Sequence, residues 1–356
     1  MVVHKKKNLK YIFYTIIYLV LASCIDQIDL RIPHTESDYL VIHGNLEKRD
    51  TTILTVTITN SVNYNSFGIP EYEDVKSVTL FEENGSSWNV DRVSQGIYSL
   101  KGIALITGSK YWIEVETIRN EQYKSELEEL LPAILPDSLN VGLIEKIETN
   151  DYGNVINNQY LRLFINTPLK ADPQDQRACF KWNFNGVYKM TEFAPRGPGT
   201  VKECYVNQPL GNDDVYIFNG NHATSDYLGN YEFFEILVNY KFSLGFYLTL
   251  NQERITETAY NYWYTVGESI TRTGSLTEPL PGNIASNIHK VSTEGRDVIG
   301  CFSAFEKSTY YFYISPGDAD FPLQNCAGLT YRNSPDYCKD CLLWSGSTLT
   351  KPDYWK

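Results

Sequence analysis

The chain has 356 residues, 42% of them hydrophobic and 14% aromatic, with 27 Tyr, 16 Phe and 6 Trp against only 2 Met. A formal charge of −12 leaves no basic excess to neutralise a phosphate backbone, which excludes nucleic acid as a partner and argues against docking on anionic headgroups. The length suits one large domain or two ordinary ones; the aromatic wealth suits strands, and would equally furnish a surface for stacking sugars.

The first elements are an address. Residues 1–10 carry Lys5, Lys6, Lys7 and Lys10, and residues 11–22 (YIFYTIIYLVLA) are apolar. That stretch is too short for a hydrocarbon core that needs about 20 residues. A basic start, a short apolar middle and small residues before a cut mark a secretory signal. Leu21-Ala22-Ser23-Cys24 resembles the bacterial lipobox, with Ser23 in a less usual last place. Residues 1–23 therefore read as a lipoprotein signal peptide and Cys24 as the lipidated first residue of the mature chain. Each buried methylene contributes about 0.8 kcal/mol, and more than one acyl chain gives stable anchoring. The four lysines leave with the signal and no acid does, so 31 basic residues become 27 against 43 acidic ones, a mature charge of −16. Residues 24–38 form a polar tether; Asp26 and Asp29 just behind the anchor are a weak form of the acidic signal that favours surface display in some didermic bacteria. No later stretch approaches 18 apolar residues.

Strand patterns follow. Residues 39–43 open the series. In 53–59, Leu54, Val56 and Ile58 face one way and Thr55 and Thr57 the other, the period of a half-buried strand. Residues 75–83 lead into Asn84-Gly85, and 86–92 lead out; Asn-Gly between two runs is a strong hairpin signal. Residues 96–100 and 111–118 complete an immunoglobulin-like β-sandwich over 39–130. Pro132 and Pro136 read as a linker. A larger antiparallel β domain occupies 131–356. Leu161, Leu163 and Ile165 alternate; Phe180, Trp182 and Phe184 alternate up to a second Asn-Gly turn at Asn185-Gly186, with 187–190 returning beside them. Tyr240, Phe242, Leu244, Phe246, Leu248 and Leu250 share one face of the longest strand pattern. Ile255, Ala259, Tyr262, Trp263, Val266 and Ile270 fall at helical spacing, with Thr256 or Asn251 as cap and Gly274 as stop. Residues 298–305 and 309–315 return to strand. The expected fold is mainly β with one amphipathic helix.

Six cysteines remain after Cys24: Cys179, Cys204, Cys301, Cys326, Cys338 and Cys341. An even count outside the cytosol points to disulfides, with 15 possible pairings. Cys338 and Cys341 pair locally with Cys204–Cys326 beside them, or the four cross. Zinc, which in a closed site takes four such ligands, and a redox pair are the alternatives. No metal or cofactor is expected. The remaining histidines are His34, His43, His222 and His289, none in H-E-x-x-H, and neither a G-x-S-x-G elbow nor a phosphate-cradling loop is present. His222, on a polar loop near Asp213 and Asp214, reads as a solvated turn rather than a calcium or catalytic site. Glu82-Glu83 point to opposite faces of a strand, and Glu128-Glu129 lack the spacing of a carboxylate dyad. Asp50-Thr51-Thr52 and Asp137-Ser138-Leu139 resemble short O-glycosylation sites.

The closing run Cys338-Lys339-Asp340-Cys341, Gly346 and Lys351-Pro352-Asp353-Tyr354-Trp355 resembles the signature of domain-of-unknown-function family 4249, lipoproteins of the Bacteroidota. Leu40-Val41-Ile42-His43-Gly44, Gly96-Ile97-Tyr98, Gly108-Ser109-Lys110-Tyr111, Ala259-Tyr260-Asn261-Tyr262-Trp263, Gly274-Ser275-Leu276 to Pro281, Asn287-Ile288-His289 and Val298-Ile299-Gly300 ahead of Phe302 follow the family's order. Ser286, Cys301 and Tyr354 depart from it. Cys179 and Cys301 look additional to the family pattern and are expected to face each other and pair. The resemblance carries no catalytic residues. It implies a lipid-anchored outer-membrane protein, a non-enzymatic accessory or binding subunit beside a TonB-dependent β-barrel receptor, with its ligand unknown. A free-standing glycan binder and a hydrolase with an unrecognised site are the alternatives.

Overall fold

Strict alternation builds the first strands: Leu40, Ile42 and Leu46 of β1 (Leu40–Lys48) and Leu54, Val56 and Ile58 of β2 (Ile53–Asn60) all lie on one buried face. The computed structural model describes residues 39–61, 70–194, 200–211, 214–270 and 284–355. The signal, Cys24, the tether with His34, Asp213 and the 274–281 motif lie outside the described residues. β3 (Val75–Glu82) and β4 (Ser87–Asn89) form the hairpin expected at Asn84-Gly85, where Gly85 takes φ +96°, a conformation that strains other residues. β5 (Asp91–Ser94), β6 (Ile97–Lys101), β7 (Lys110–Thr117), β8 (Gln122–Ser125) and β9 (Glu128–Glu129) follow.

The second half begins with β10 (Ser138–Thr149), β11 (Val155–Pro168), β12 (Cys179–Thr191), β13 (Glu203–Leu210), β14 (Tyr216–Asn219), β15 (Tyr227–Leu237) and β16 (Phe246–Ile255). Helix α1 (Glu257–Ile270), β17 (Ile288–Lys290), β18 (Val298–Ile314) and β19 (Ser347–Thr348) complete the chain. Thr256 caps α1, its hydroxyl accepting from the Ala259 amide at 3.2 Å; Asn251 stays within β16.

A ten-stranded sheet runs β19-β13-β12-β16-β18-β1-β2-β6-β5, with β14 also on β12. A six-stranded sheet, β17-β8-β7-β3-β4 with β9 beside β7, shares one core with β1, β2, β6 and the start of β18. A three-stranded sheet, β10-β11-β15, shares the other core with β12, β13, β16 and the end of β18. The protein is thus mainly β, two sandwiches joined through one sheet.

Strand β18 is the joint. Its residues from Val298 to Glu306 run parallel to β1, and those from Lys307 to Ile314 run antiparallel to β16. The two strands expected at 298–305 and 309–315 are this one element. The sandwich expected over 39–130 is therefore not closed by those residues: it takes β17 and half of β18 from more than 150 residues downstream. Asp38–Lys356 accordingly form one unit. The proline stretch is no loose linker either. Ile134 is buried, and its carbonyl accepts from Gln252 Nε2 at 2.8 Å and Ser308 Oγ at 3.1 Å.

Two local expectations fail for identifiable reasons. Asn185-Gly186 makes no turn; β12 runs straight through it, pairing Gly186 with Gln208 and Leu248. A Cβ on Gly186 would lie 2.2 Å from Phe246 Cζ, so the glycine makes room for a ring. Residues 240–250 are not one strand: Tyr240–Phe242 is a 3-10 turn, and β16 begins at Phe246. The fully buried rings of Phe242 and Phe246 stack at 4.7 Å, and spacing of four suits the turn as well as the period of two.

Candidate binding surfaces

The outward face of the ten-stranded sheet is covered at both ends and open between them. At one end lies α1, whose Ala259 and Tyr262 pack with Cys179, Ile255 and Cys301. His43, on β1 opposite Cys301, faces the same helix: its Nε2 hydrogen-bonds the Tyr262 hydroxyl, and its ring stacks on Trp263 at 6.1 Å. Burial, with Lys181 adding to it, holds the His43 pKa below its ordinary value. At the other end the tail returns, and Trp355 packs on Tyr205 and Tyr247.

Between the two covers, ladder register fixes the rows. Asn207, Val187, Tyr247 and Tyr313 form one row, Asn185, Thr249 and Tyr311 the next, and Asn183, Asn251 and Thr309 the third. Tyr311 and Tyr313 are 48% and 44% exposed. Tyr354 stacks on Tyr311 at 4.2 Å and shares a hydrogen bond with Thr249. Asn185 Nδ2 donates to Asn207 Oδ1, Asn183 Nδ2 to Glu253 Oε1 at 2.6 Å, and Thr309 Oγ1 to Asn251 Oδ1 at 2.9 Å. A cavity of about 270 Å³ opens beside the strip, lined by Lys181, Asn183, Leu210 and Trp263 among others.

A second surface is the β10–β11 hairpin. Its third strand, β15, stops at the Tyr160–Leu237 pair, so the hairpin projects beyond it. Residues that would continue the core face are left outside: Leu143, Ile147 and Val155 are 39%, 79% and 72% exposed, and Tyr152 at the tip 90%. The segment around Asp320 meets the hairpin at Gln159 (Nε2 to Oδ2, 3.5 Å) and adds Phe321 and Leu323, 74% and 80% exposed. Asp320 and Phe321 both take positive φ, +54° and +50°, a conformation that costs a bulky residue about 1–3 kcal/mol and collects at functional sites.

The expected site residues are scattered. Cys204 bonds Cys341 and Cys326 bonds Cys338, the crossed pairing; with all four sulfurs in S–S bonds, none is a zinc ligand or a free redox thiol. The expected Cys179–Cys301 bond does not form: both are buried free thiols. They sit on β12 and β18, with β16 between. Strands two apart lie about 10 Å from each other, beyond the Cα separation of about 7 Å that a disulfide spans. His222 is exposed on the turn Gly220–His222, whereas His289 on β17 pairs with Glu126 at 2.9 Å. Glu82 is buried, accepting from the Tyr111 hydroxyl, and Glu83 is exposed. Thr51 is exposed at the β1–β2 turn and Ser138 half-buried at the start of β10. Among the described residues no three His, Cys, Asp or Glu side chains gather as a metal site.

Glu128 has more chemistry than its neighbours in sequence announced. It is 1% exposed where the two sandwiches meet, accepting from Thr256 Oγ1 at 2.6 Å and Asn287 Nδ2 at 2.9 Å. Asn287, also buried, bonds both the amide and the carbonyl of Phe302 on β18. Burial raises the Glu128 pKa from 4.5 to about 7, against the pull of its two donors. The folded state therefore holds this proton more tightly than the unfolded chain. Its favourable contribution is full below about pH 4.5 and is lost as pH rises through about 7. Urea unfolding between pH 5 and 8 is expected to show wild type losing on the order of 3 kcal/mol relative to Glu128→Gln across that window; parallel profiles would refute it.

Fold and surfaces together define a double β-sandwich with two exposed, solvent-facing patches and a disulfide-tied tail. The chain belongs to the family described as Domain of unknown function (DUF4249), which residues 25–311 match. No curated protein and no solved structure matches it.

Proposed function

We propose that this protein is a non-enzymatic accessory subunit, tethered to the outer membrane through lipid on Cys24 and docked on a β-barrel receptor of the TonB-dependent kind. The observation that carries the docking is the projecting hairpin with Phe321 and Leu323 beside it. Large apolar side chains gathered at one end of a molecule mark protein contact surfaces, and buried aromatic anchors dominate such contacts. The lipobox and the family resemblance support the membrane and the kind of partner.

The test is purification of the C-terminally tagged protein from its native membrane in mild detergent. A stoichiometric β-barrel is expected to accompany the wild type and to be lost from an Ile147→Glu, Phe321→Ala variant that still folds. Wild type recovered without any stoichiometric partner would refute the reading.

A further inference from the structure

We infer that the open strip between α1 and the C-terminal tail is a binding site for neutral polysaccharide. This site lies on a different sheet from the hairpin, and its ligand is independent of the docking proposed above.

The rings come first. A sheet face turned to solvent is ordinarily polar, yet this one presents Tyr311 and Tyr313 each nearly half exposed, with Tyr354 stacked on Tyr311. The faces of aromatic rings carry negative potential, so they attract the C–H faces of a pyranose while leaving its hydroxyls at the rim. Beside the rings stand the partners those hydroxyls need. Asn183, Asn185, Asn207 and Asn251 line the next positions of the strip. A carboxamide offers two donors and two acceptor sites, and each of the side-chain bonds along the strip uses only one of them. The bonds also hold the amides in place, so little rotamer freedom remains to be lost on binding.

Charge decides which glycan. The lysines that β12 and β18 carry on this face are already paired: Lys181 with Glu253 at 2.9 Å, Lys189 with Glu203 at 3.2 Å and Lys307 with Glu47 at 3.4 Å. These pairs offer little positive field to favour a uronate or sulfated chain, and the acidic surface at large repels one.

The test uses the detergent-solubilised full-length protein in native affinity electrophoresis through gels containing lichenan, xylan, mannan or amylopectin. Retardation by at least one of these is expected, with none by anionic polygalacturonate. Tyr311→Ala is expected to weaken binding about tenfold, the worth of one aromatic platform, and Asn185→Ala several-fold. Circular dichroism and non-reducing peptide maps check that both variants keep the fold and both disulfides. No retardation in any of the four gels, or retardation undiminished in both variants, would overturn the inference while leaving the docked-subunit reading intact. Loss of a co-purifying protein from the variants, without polysaccharide binding by wild type, would make the strip a protein interface and overturn it equally.

Discussion

Replacing Cys341 by serine is expected to remove about 5 kcal/mol of stability. The Cys204–Cys341 bond joins residues 137 apart, and the chain-entropy cost of the unfolded state grows with the loop that a disulfide closes; for this length it is about 5 kcal/mol. Cys326–Cys338 closes a loop of 12, for which the same relation gives about 3 kcal/mol. The long-range bond also has the larger structural consequence. Among the described residues after β18 the only strand is β19, two residues long. That segment is fastened by the pairing of β19 with β13, the bond from Cys341 to β13, the ion pair of Lys202 with Asp340 at 2.9 Å, Trp355 on Tyr205 and Tyr247, and Tyr354 on Tyr311. Urea titrations of Cys341→Ser and Cys338→Ser should rank in that order, and only the first should free Tyr354 from the open strip and weaken polysaccharide retardation. Equal midpoints for the two variants would contradict the ranking.

Arg296→Ala is expected to cost about 3–5 kcal/mol, because it strips two largely buried carboxylates of their shared partner. The guanidinium donates to Glu73 at 2.6 and 2.7 Å, to Glu121 Oε2 at 2.9 Å and to Asn60 Oδ1 at 2.9 Å. Side-chain exposure is 9% for Arg296 and Glu121 and 19% for Glu73. This cluster fastens the segment that returns from the second sandwich to the first, just ahead of β18. Hydrogen bonds from Arg296 hold Glu121 at about 2, well below its ordinary 4.5, and lower Glu73 as well. The stability they contribute is present above about pH 4.5 and is lost as pH falls toward 2. Thermal unfolding of wild type should therefore weaken across that acid range more steeply than that of Arg296→Ala. Arg296→Lys should recover only part of the loss, since an ammonium has three donors and no planar fork to reproduce the two-pronged bond to Glu73 together with those to Glu121 and Asn60. A variant as stable as wild type at pH 7 would show that the cluster is not coupled to folding.

Little of either surface was legible in the chain. Tyr311 and Tyr313 alternate with Tyr310 and Phe312, so four aromatics stand in a row, and alternation alone does not say which pair faces water. The answer depends on the three-stranded sheet that covers Tyr310 and Phe312 and leaves the other face open. Asn183 and Asn185 gave no signal either, and Asn185-Gly186 pointed to a turn, because local turn chemistry cannot register a phenylalanine ring arriving from residue 246. The projecting hairpin was hidden for a similar reason: Ile147 and Val155 look like core residues until β15 ends short of them. The pairing of the cysteines was open among alternatives that differ only in where β13 meets the tail.

The amino-acid sequence alone settled the strand periods of the first sandwich, the Asn84-Gly85 hairpin, the amphipathic helix, the mainly β class and the family, while the helix cap stayed open between Thr256 and Asn251 until the structure chose Thr256. All of these rest on interactions between residues a few positions apart, where side-chain period and turn chemistry act directly. The tertiary structure decided that one strand, β18, serves both sandwiches, that Cys179 and Cys301 stay apart, and that Glu128 is buried against Thr256 and Asn287. Each of these follows from pairing or contact between segments more than 50 residues apart. No local pattern encodes such a choice, because many partners satisfy the same period, and only the packing of the whole sheet selects one.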